Sequence, residues 1–233
     1  MRVFAKLALA AAALAALTTT ASAAVVITSP TGGVSGLAAP SNPVWDFEGG
    51  AGQDTTHFSY TGGGTFTGTS ASAAAPLGDA THYGAAGTGT FGTPAQGTPT
   101  TMFATNPGYQ FLTFSAYIGS LDDYNMISFF HSGTQIGPAL SGSALAALVG
   151  NGTVADGSKT GDEANRRFFF TFDASDQVNQ IVFNSFAPAF EFDNFAATIT
   201  GVPEPQTWAM MILGFGFIGF MLRNGRRQSA VVA

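Results

Sequence analysis

Leu112-Thr113-Phe114-Ser115-Ala116-Tyr117-Ile118 is the stretch that decides the fold of this 233-residue chain. Apolar side chains occupy every second position, and Thr113, Ser115 and Tyr117 stand between them. Successive side chains of a β-strand point to opposite faces, so this period of two predicts a strand with one apolar face and one more polar face. A strand of this kind packs its apolar face against another layer of the protein.

Similar runs follow this strand at short intervals along the chain. Many of the 22 phenylalanines fall on them and supply the apolar faces that two packed sheets would bury. The further runs are 126–130, 168–172, 181–186 and 195–199. Together they predict an all-β fold, a jelly-roll-like antiparallel β-sandwich, as an exported domain over residues 24–200.

The first part of that domain has a different composition. Gly, Thr, Ala, Ser and Pro dominate residues 28–100. Such a composition favours loops and irregular edge strands over a regular sheet. The short strands predicted within it are 44–47, 65–67 and 88–91.

One short helix is predicted in the connection between two strands. Ala144 to Val149 is an apolar, alanine-rich run. Ser143 can accept a hydrogen bond from a free N–H of the first turn, which favours it as the N-cap. Gly150 can end the helix, because glycine adopts the backbone conformation that a C-terminal cap requires.

The C-terminal part of the chain has an order of its own. Pro203-Glu204-Pro205 is a stiff extended spacer, because each proline ring fixes its own backbone angle and disfavours helix just before it. An uncharged apolar run follows over 208–222 and predicts a transmembrane helix. A basic stop at 223–227 comes next, formed by Arg223, Arg226 and Arg227. The positive-inside rule places that stop in the cytoplasm.

This order of parts resembles the PEP-CTERM sorting signal of Gram-negative bacteria, in its P-E-P-x-x-W-A variant. The resemblance covers 201–233 and rests on Pro203, Glu204, Pro205, Trp208 and Ala209. It implies that an exosortase, a membrane-embedded transpeptidase-like cysteine enzyme, recognises the P-E-P end. The exosortase would then remove the tail and pass the protein to the cell surface, so that the membrane anchor is transient.

The N-terminus is consistent with export. Arg2 and Lys6 form a positive region, and an alanine- and leucine-rich apolar run follows over 7–17. Ala21-Ser22-Ala23 then predicts cleavage by signal peptidase between Ala23 and Ala24. Residues 1–23 are therefore interpreted as a signal peptide. Everything between it and the C-terminal helix is expected outside the cytoplasm, on the cell surface or in the extracellular matrix.

A second resemblance lies inside the exported domain. The run 116–125, which contains G-S-L-D-D-Y-N, and the later Phe192-Asp193-Asn194-Phe195 are similar to the mature domain of some exosortase-dependent surface proteins. Those proteins carry tryptophan where this chain has Ile118. The resemblance implies a surface or matrix protein of unassigned activity. From the residues themselves, 119–123 is interpreted as a turn between two strands.

Charge and composition restrict the partners. All 14 acidic residues, but only three of the eight basic ones, lie between Ala24 and Pro205, which gives the exported region a net charge of −11. Nucleic-acid binding is not expected, since it needs a basic surface. The three basic residues include Arg166 and Arg167, which we expect to flank a strand edge. The chain has no cysteine, so disulfides and thiol chemistry are excluded.

No catalytic residue is assigned, and the chain is not expected to be an enzyme. Its three histidines have no zinc-type spacing, and no G-x-S-x-G nucleophile motif is present. The W-D-F-E stretch that ends at Glu48 and the F-D-N stretch around Asp193 are similar to jelly-roll carbohydrate-binding modules, in which an acidic residue of the first strand and an Asp of the last often bind a structural Ca²⁺ with backbone carbonyls. This resemblance implies Glu48 and Asp193 as candidate Ca²⁺ ligands, and carboxylate oxygens suit this hard cation. Their alternative role is that of solvated or hydrogen-bonded carboxylates at strand ends. Glu191 and Asp193, two residues apart on one strand, are predicted to share a face.

Three functions stay open from the sequence. The first is a non-catalytic surface or matrix protein associated with exopolysaccharide in a biofilm. The second is a Ca²⁺-stabilised carbohydrate-binding module, and the third and most remote is a secreted glycoside hydrolase, which needs two carboxyl groups facing each other across a cleft. The aromatic side chains that could stack on sugar rings, or else pack in the protein, are Trp45, Tyr60, Tyr83, Tyr109, Tyr117 and Tyr124.

Overall fold

The computed structural model describes residues 25–38, 41–87, 100–202 and 205–229. The predicted signal peptide with its cleavage site at Ala23 and Ala24, and the predicted strand 88–91, lie outside these residues. The strands within them are β1 (Val26–Thr28), β2 (Pro43–Trp45), β3 (Phe58–Gly62), β4 (Gly64–Thr67), β5 (His82–Ala86), β6 (Thr100–Thr105), β7 (Tyr109–Gly119), β8 (Asn125–His131), β9 (Thr134–Ser141), β10 (Arg166–Thr171), β11 (Gln180–Ser185) and β12 (Phe190–Gly201).

The strands form two antiparallel sheets. The seven-stranded sheet has the order β1-β10-β7-β12-β5-β4, with β2 also paired to β12. The five-stranded sheet has the order β3-β6-β11-β8-β9. From β10 onward the chain alternates between the two sheets, since β10 and β12 belong to the first and β11 to the second. The predicted all-β sandwich is confirmed.

The predicted strands coincide with β2, β4, β7, β8, β10, β11 and β12, and the structure adds β1, β3, β5, β6 and β9. Several of the added strands are short or contain residues that rarely form strands. β9 contains Gly137 and Pro138. It lies at the edge of its sheet and pairs with β8 alone, and an edge position tolerates proline. Its partner strand, rather than its own sequence, determines its conformation.

Aromatic rings fill the space between the sheets. Phe183 on β11 lies 4.5 Å from Phe192 and 5.5 Å from Phe195, both on β12, between ring centroids. Phe103 on β6 lies 5.0 Å from Phe195. All four rings are fully buried. Burying a phenylalanine side chain contributes about 1.5–3 kcal/mol, so each of these rings stabilises the sandwich substantially.

The deciding strand, β7, differs from its prediction at one end. Phe114, Ala116 and Ile118 face the core as predicted. Leu112 does not, because the pairing of β7 with β12 shifts register between Thr198 and Ile199. The shift leaves Leu112 as an extra residue, and Phe111 takes its place in the core.

The predicted short helix is α1 (Gly142–Val149), and it begins earlier than expected. Ser141, not Ser143, is the N-cap, since its Oγ accepts a hydrogen bond from Ala144 N at 3.1 Å. Gly150 ends the helix as predicted, at a φ of 60°. The cap moved because β9 continues to Ser141 and the helix starts at once behind it.

The C-terminal helix is α2 (Pro205–Ser229), which contains the predicted helical run 208–222. Its large apolar side chains are exposed, including Trp208 at 51 % and Phe215 at 69 %. In the part of the chain that the structure describes, no helix combines the length and the apolar character needed to cross a membrane. Pro203 and Glu204 lie outside the described residues, and so do the side chains of Arg223, Arg226 and Arg227.

Candidate functional site

Two segments of the irregular region lie over the outer face of the seven-stranded sheet. We call residues 29–38 and 69–79 together the cover. Gly33 N donates to Asn165 O at 2.7 Å, which attaches the first segment to the loop before β10. Ala73 and Ala74 of the second segment are buried. The region predicted to be irregular therefore encloses one face of the sheet.

A row of three polar side chains crosses the sheet beneath the cover. Arg167 on β10 pairs in register with Tyr117 on β7, and Tyr117 pairs in turn with Asp193 on β12. Side chains at paired positions of antiparallel strands lie on the same face. These residues are only 2 %, 0 % and 1 % exposed. Polar groups buried this deeply need partners within the protein.

The cover supplies most of those partners through its backbone carbonyls. The Tyr117 hydroxyl donates to Leu77 O at 2.9 Å and to Gly33 O at 3.1 Å, so it joins both segments. Arg167 Nε donates to Gly36 O at 2.8 Å. The row thus holds the cover on the sheet by directional hydrogen bonds, in addition to the apolar packing of Ala73 against Tyr83 and Ala85.

The Arg167 guanidinium is bound by neutral oxygens. Nη1 donates to Asn194 O at 2.8 Å and Ser115 Oγ at 3.3 Å, and Nη2 donates to Leu37 O at 3.2 Å. Burial lowers its pKa to about 10, an effect that the charge of Asp193 opposes. The sequence prediction that Arg166 and Arg167 flank a strand edge is wrong. Both arginines are buried, on a strand that has neighbours on both sides.

Asp193 is the least satisfied member of the row. Its Oδ2 accepts from Asn194 Nδ2 at 3.0 Å, but its buried Oδ1 has no hydrogen-bond partner. Burial, together with the charges of Asp79 and Glu48, raises the pKa of Asp193 to about 8, although a hydrogen bond from Asn194 and the charge of Arg167 oppose the shift. Asp79, at the end of the cover, also has a buried oxygen without a partner, Oδ2. No pattern in the sequence pointed to Asp79.

Glu191 lies on the same face of β12, as predicted, but its surroundings differ from those of Asp193. Its Oε1 accepts from Ala74 N at 2.7 Å and its Oε2 from Ser120 Oγ at 2.9 Å. Burial raises the pKa of Glu191 to about 8, although both hydrogen bonds oppose the shift. Glu191 therefore ties the cover to the loop after β7.

That loop is the predicted turn between two strands, and it does connect β7 to β8. Ser120 holds this loop in place, since its hydroxyl donates to Glu191 and its N–H donates to Asn165 Oδ1 at 3.0 Å. Asn165 Oδ1 also accepts from Leu77 N at 3.1 Å, so one side chain joins the loop to the cover. Burial raises the pKa of Asp122, in the same loop, to about 6. The sequence pattern did not single out Asn165.

Glu48, the other predicted Ca²⁺ ligand, is engaged by a histidine. Its Oε1 accepts from His82 N at 2.7 Å, and its Oε2 lies 2.9 Å from His82 Nδ1. These hydrogen bonds lower the pKa of Glu48, which is exposed. Among the described residues, no three His, Cys, Asp or Glu side chains group together as metal ligands. The pairing of Glu48 with Asp193 around Ca²⁺ stays a prediction.

The aromatic side chains considered for sugar stacking are packed into the domain. Trp45, Tyr83 and Tyr117 are buried, and Tyr60, Tyr109 and Tyr124 are half-buried. Three surface cavities of about 190, 180 and 160 Å³ have no Asp or Glu in their walls. The buried carboxyl groups under the cover can hold a proton or a cation.

Comparison with known proteins identifies the C-terminal part. The family model described as "PEP-CTERM protein-sorting motif" matches residues 201–227. Trp208 and Ala209 of the predicted recognition sequence lie exposed in the first turns of α2, which Pro205 begins. Neither the comparison with curated proteins nor that with solved structures gave a significant match. Residues 201–227 therefore form a PEP-CTERM protein-sorting motif behind a two-sheet β domain.

Proposed function

We propose that this chain is an exported surface protein whose C-terminal part is recognised and removed by an exosortase. The match of residues 201–227 to the PEP-CTERM protein-sorting motif carries this proposal. A sorting motif directs a protein without doing chemistry of its own. The sandwich is then the cargo, and α2 is part of the address.

The exposed surface of α2 supports a transient membrane anchor. Met210, Ile212, Phe215 and Phe217 are each more than 60 % exposed, and other large apolar side chains project around the helix. A helix that is apolar all round needs an apolar environment, such as lipid. Its apolar run of 15 residues over 208–222 rises roughly 22 Å, against about 30 Å for a hydrocarbon core. A short anchor of this kind suits a protein that is released from the membrane.

For the cargo we propose a non-catalytic role in an exopolysaccharide matrix. The net charge of −11 favours solubility and interaction with cations or neutral polymers. The buried carboxyl groups lie beneath the cover, where a substrate bond would not lie between them. A carbohydrate-binding module is the second candidate. The alternation of β10, β11 and β12 between the sheets supports it, since jelly-roll modules are built from two such sheets.

Processing in cells tests the sorting role. In the producing bacterium, deletion of the exosortase or the double change Pro203→Ala and Pro205→Ala should leave the full-length chain in the membrane fraction, detected by immunoblot. Glu163→Gln, in a loop far along the chain from the motif, is the matched control and should be processed normally. Normal processing of the double variant, or of the wild type without exosortase, would refute the proposal.

The two roles of the cargo are separated by binding. A carbohydrate-binding module should be retained on the producer's own purified polysaccharide, and soluble oligosaccharide should release it. A matrix protein that is held by other means should pass through the same column.

A further inference from the structure

We propose that Asp79 and Asp193 together bind one divalent cation of the Ca²⁺ type between the seven-stranded sheet and its cover. Asp79 replaces Glu48 of the predicted pair as the second ligand. The site does not depend on exosortase sorting, so the two proposals stand or fall separately.

The backbone brings the two aspartates to the same place. Asp193 is in register with Tyr117, and the Tyr117 hydroxyl donates to Leu77 O at 2.9 Å. Leu77 lies in a turn that Asp79 closes, since Asp79 N donates to Pro76 O at 2.9 Å. Asp79 therefore stands at the end of the cover that Tyr117 holds above the row.

Each aspartate has one oxygen engaged and one free. Asp79 Oδ1 accepts from Thr81 N at 2.8 Å and from Thr81 Oγ1 at 2.9 Å. Asp79 Oδ2 and Asp193 Oδ1 are buried and have no hydrogen-bond partner. Leaving buried acceptors unpaired is destabilising, and native proteins rarely do so. Two such oxygens at one junction indicate a ligand that offers positive charge.

The charged side chains described around the two aspartates do not provide a positive partner for the free oxygens. The carboxylates of Asp79 and Glu48 both act on Asp193, and the neighbouring cation is Arg167. Arg167 directs its hydrogen bonds to carbonyls and to Ser115 Oγ. Its positive charge therefore offsets part of the negative charge of the aspartates without occupying the free oxygens. Glu48 contributes charge only, because His82 engages both of its oxygens.

The donor set selects a hard cation with flexible coordination. Ca²⁺ accepts carboxylate, carbonyl and water oxygens in a variable arrangement, whereas Mg²⁺ requires strict octahedral geometry. Two carboxylates balance the charge of one such ion, and carbonyls and water would complete its shell. Sites in extracellular modules with few charged ligands bind Ca²⁺ with Kd values of roughly 10⁻⁴–10⁻³ M.

The test uses the full chain in detergent and two probes, Ca²⁺ by calorimetry and Tb³⁺ by luminescence. Tb³⁺ replaces Ca²⁺ and emits when a nearby tyrosine is excited, and Tyr117 lies beside the site. The wild type should bind one Ca²⁺ per chain, show Tb³⁺ emission that Ca²⁺ displaces, and melt at a higher temperature with Ca²⁺ than with chelator. Asp79→Asn should weaken Ca²⁺ binding by about tenfold or more.

Control variants make the outcome decisive. Glu48→Gln and Asp123→Asn, which change exposed carboxylates, should retain Ca²⁺ affinity within about threefold of the wild type. Asp193→Asn should abolish binding, and Asp79→Asn provides the answer if Asp193→Asn fails to fold. A wild type without Ca²⁺ binding would overturn the proposal in favour of a proton held by Asp193. The assignment of Asp79 would be overturned if Asp79→Asn bound Ca²⁺ as tightly as the wild type. It would also be overturned if Glu48→Gln were the only variant to lose Ca²⁺ binding.

Discussion

The sandwich and α2 differ in the exposure of their large apolar side chains. Phe183, Phe192 and Phe195 are fully buried between two sheets, whereas the apolar side chains described in α2 face outward. The sandwich is therefore complete as a folding unit. This difference supports the proposed division of the chain into a cargo domain and a C-terminal sorting motif at residues 201–227.

Removal of α2 should have the largest effect, and that effect is on membrane association. A chain that ends after Val202 should stay in the supernatant of a detergent-free extract, because the exposed apolar helix is lost. Its unfolding midpoint should match that of the sandwich in the full chain, since Val202 N keeps its 2.8 Å hydrogen bond to Gly108 O. The control lacks only residues 230–233. Sedimentation of the shorter chain with membranes would show that the sandwich itself carries the membrane affinity.

Removal of one core ring should have the next largest effect. Phe183→Ala should lower the free energy of unfolding by about 3–5 kcal/mol, measured in urea, because it leaves a cavity among four phenylalanines. Phe186→Ala is the matched control. Phe186 is 63 % exposed, so the change should stay within about 0.5 kcal/mol. Equal effects at the two positions would contradict the assignment of the core.

The buried carboxyl group of Glu191, under the cover, should make stability depend on pH. The pKa of Glu191 is raised to about 8 in the folded protein, above its ordinary value of 4.5, so the folded state binds the extra proton. Stability is then full below pH 4 to 5, falls as pH rises toward 8, and changes no further above it. We expect a loss of at least about 1 kcal/mol between pH 5 and pH 8, measured in chelator by urea unfolding.

Glu191→Gln should reduce that dependence. The amide keeps an acceptor for Ala74 N and a partner for the Ser120 hydroxyl but does not titrate. Asp122, which shares the loop and has a pKa raised to about 6, adds to the slope in the same direction. Exposed Glu163→Gln should leave the slope unchanged. A wild type whose stability rises from pH 5 to pH 8 would show that Glu191 is charged in the folded state.

The helix cap should have the smallest effect. Ser141→Ala should lower the free energy of unfolding by about 1 kcal/mol, since Ala144 N loses its acceptor. Ser143→Ala, within the helix, should change it by less than about 0.5 kcal/mol. The reverse order of these effects would restore Ser143 as the cap.

The same strands explain how far sequence could predict this protein. The alternation in 112–118 placed Phe114, Ala116 and Ile118 on the core face, because burial is local and periodic. The other face was expected to be more polar, and Ser115 and Tyr117 do lie on it, yet they are buried. Their burial depends on a glycine-rich cover whose contacts are set by tertiary structure rather than by any period.

The candidate site was predictable only in part for the same reason. Asp193 was identified from its place in a strand, but Asp79, Arg167 and Tyr117 come from distant positions that the strand register and the cover bring near it. No spacing of these residues along the sequence indicates that they lie close together in the fold. The sorting motif, in contrast, was readable in full from Pro203-Glu204-Pro205 and the residues after it, because an address is recognised as a linear sequence.

The intact mass of the protein recovered from the cell surface tests the division into cargo and address most directly. We expect a polypeptide that starts at Ala24 and lacks residues 208–222, with its C-terminus near Pro203-Glu204-Pro205 and any attached group added there. A surface protein whose mass still includes residues 208–222 would contradict it.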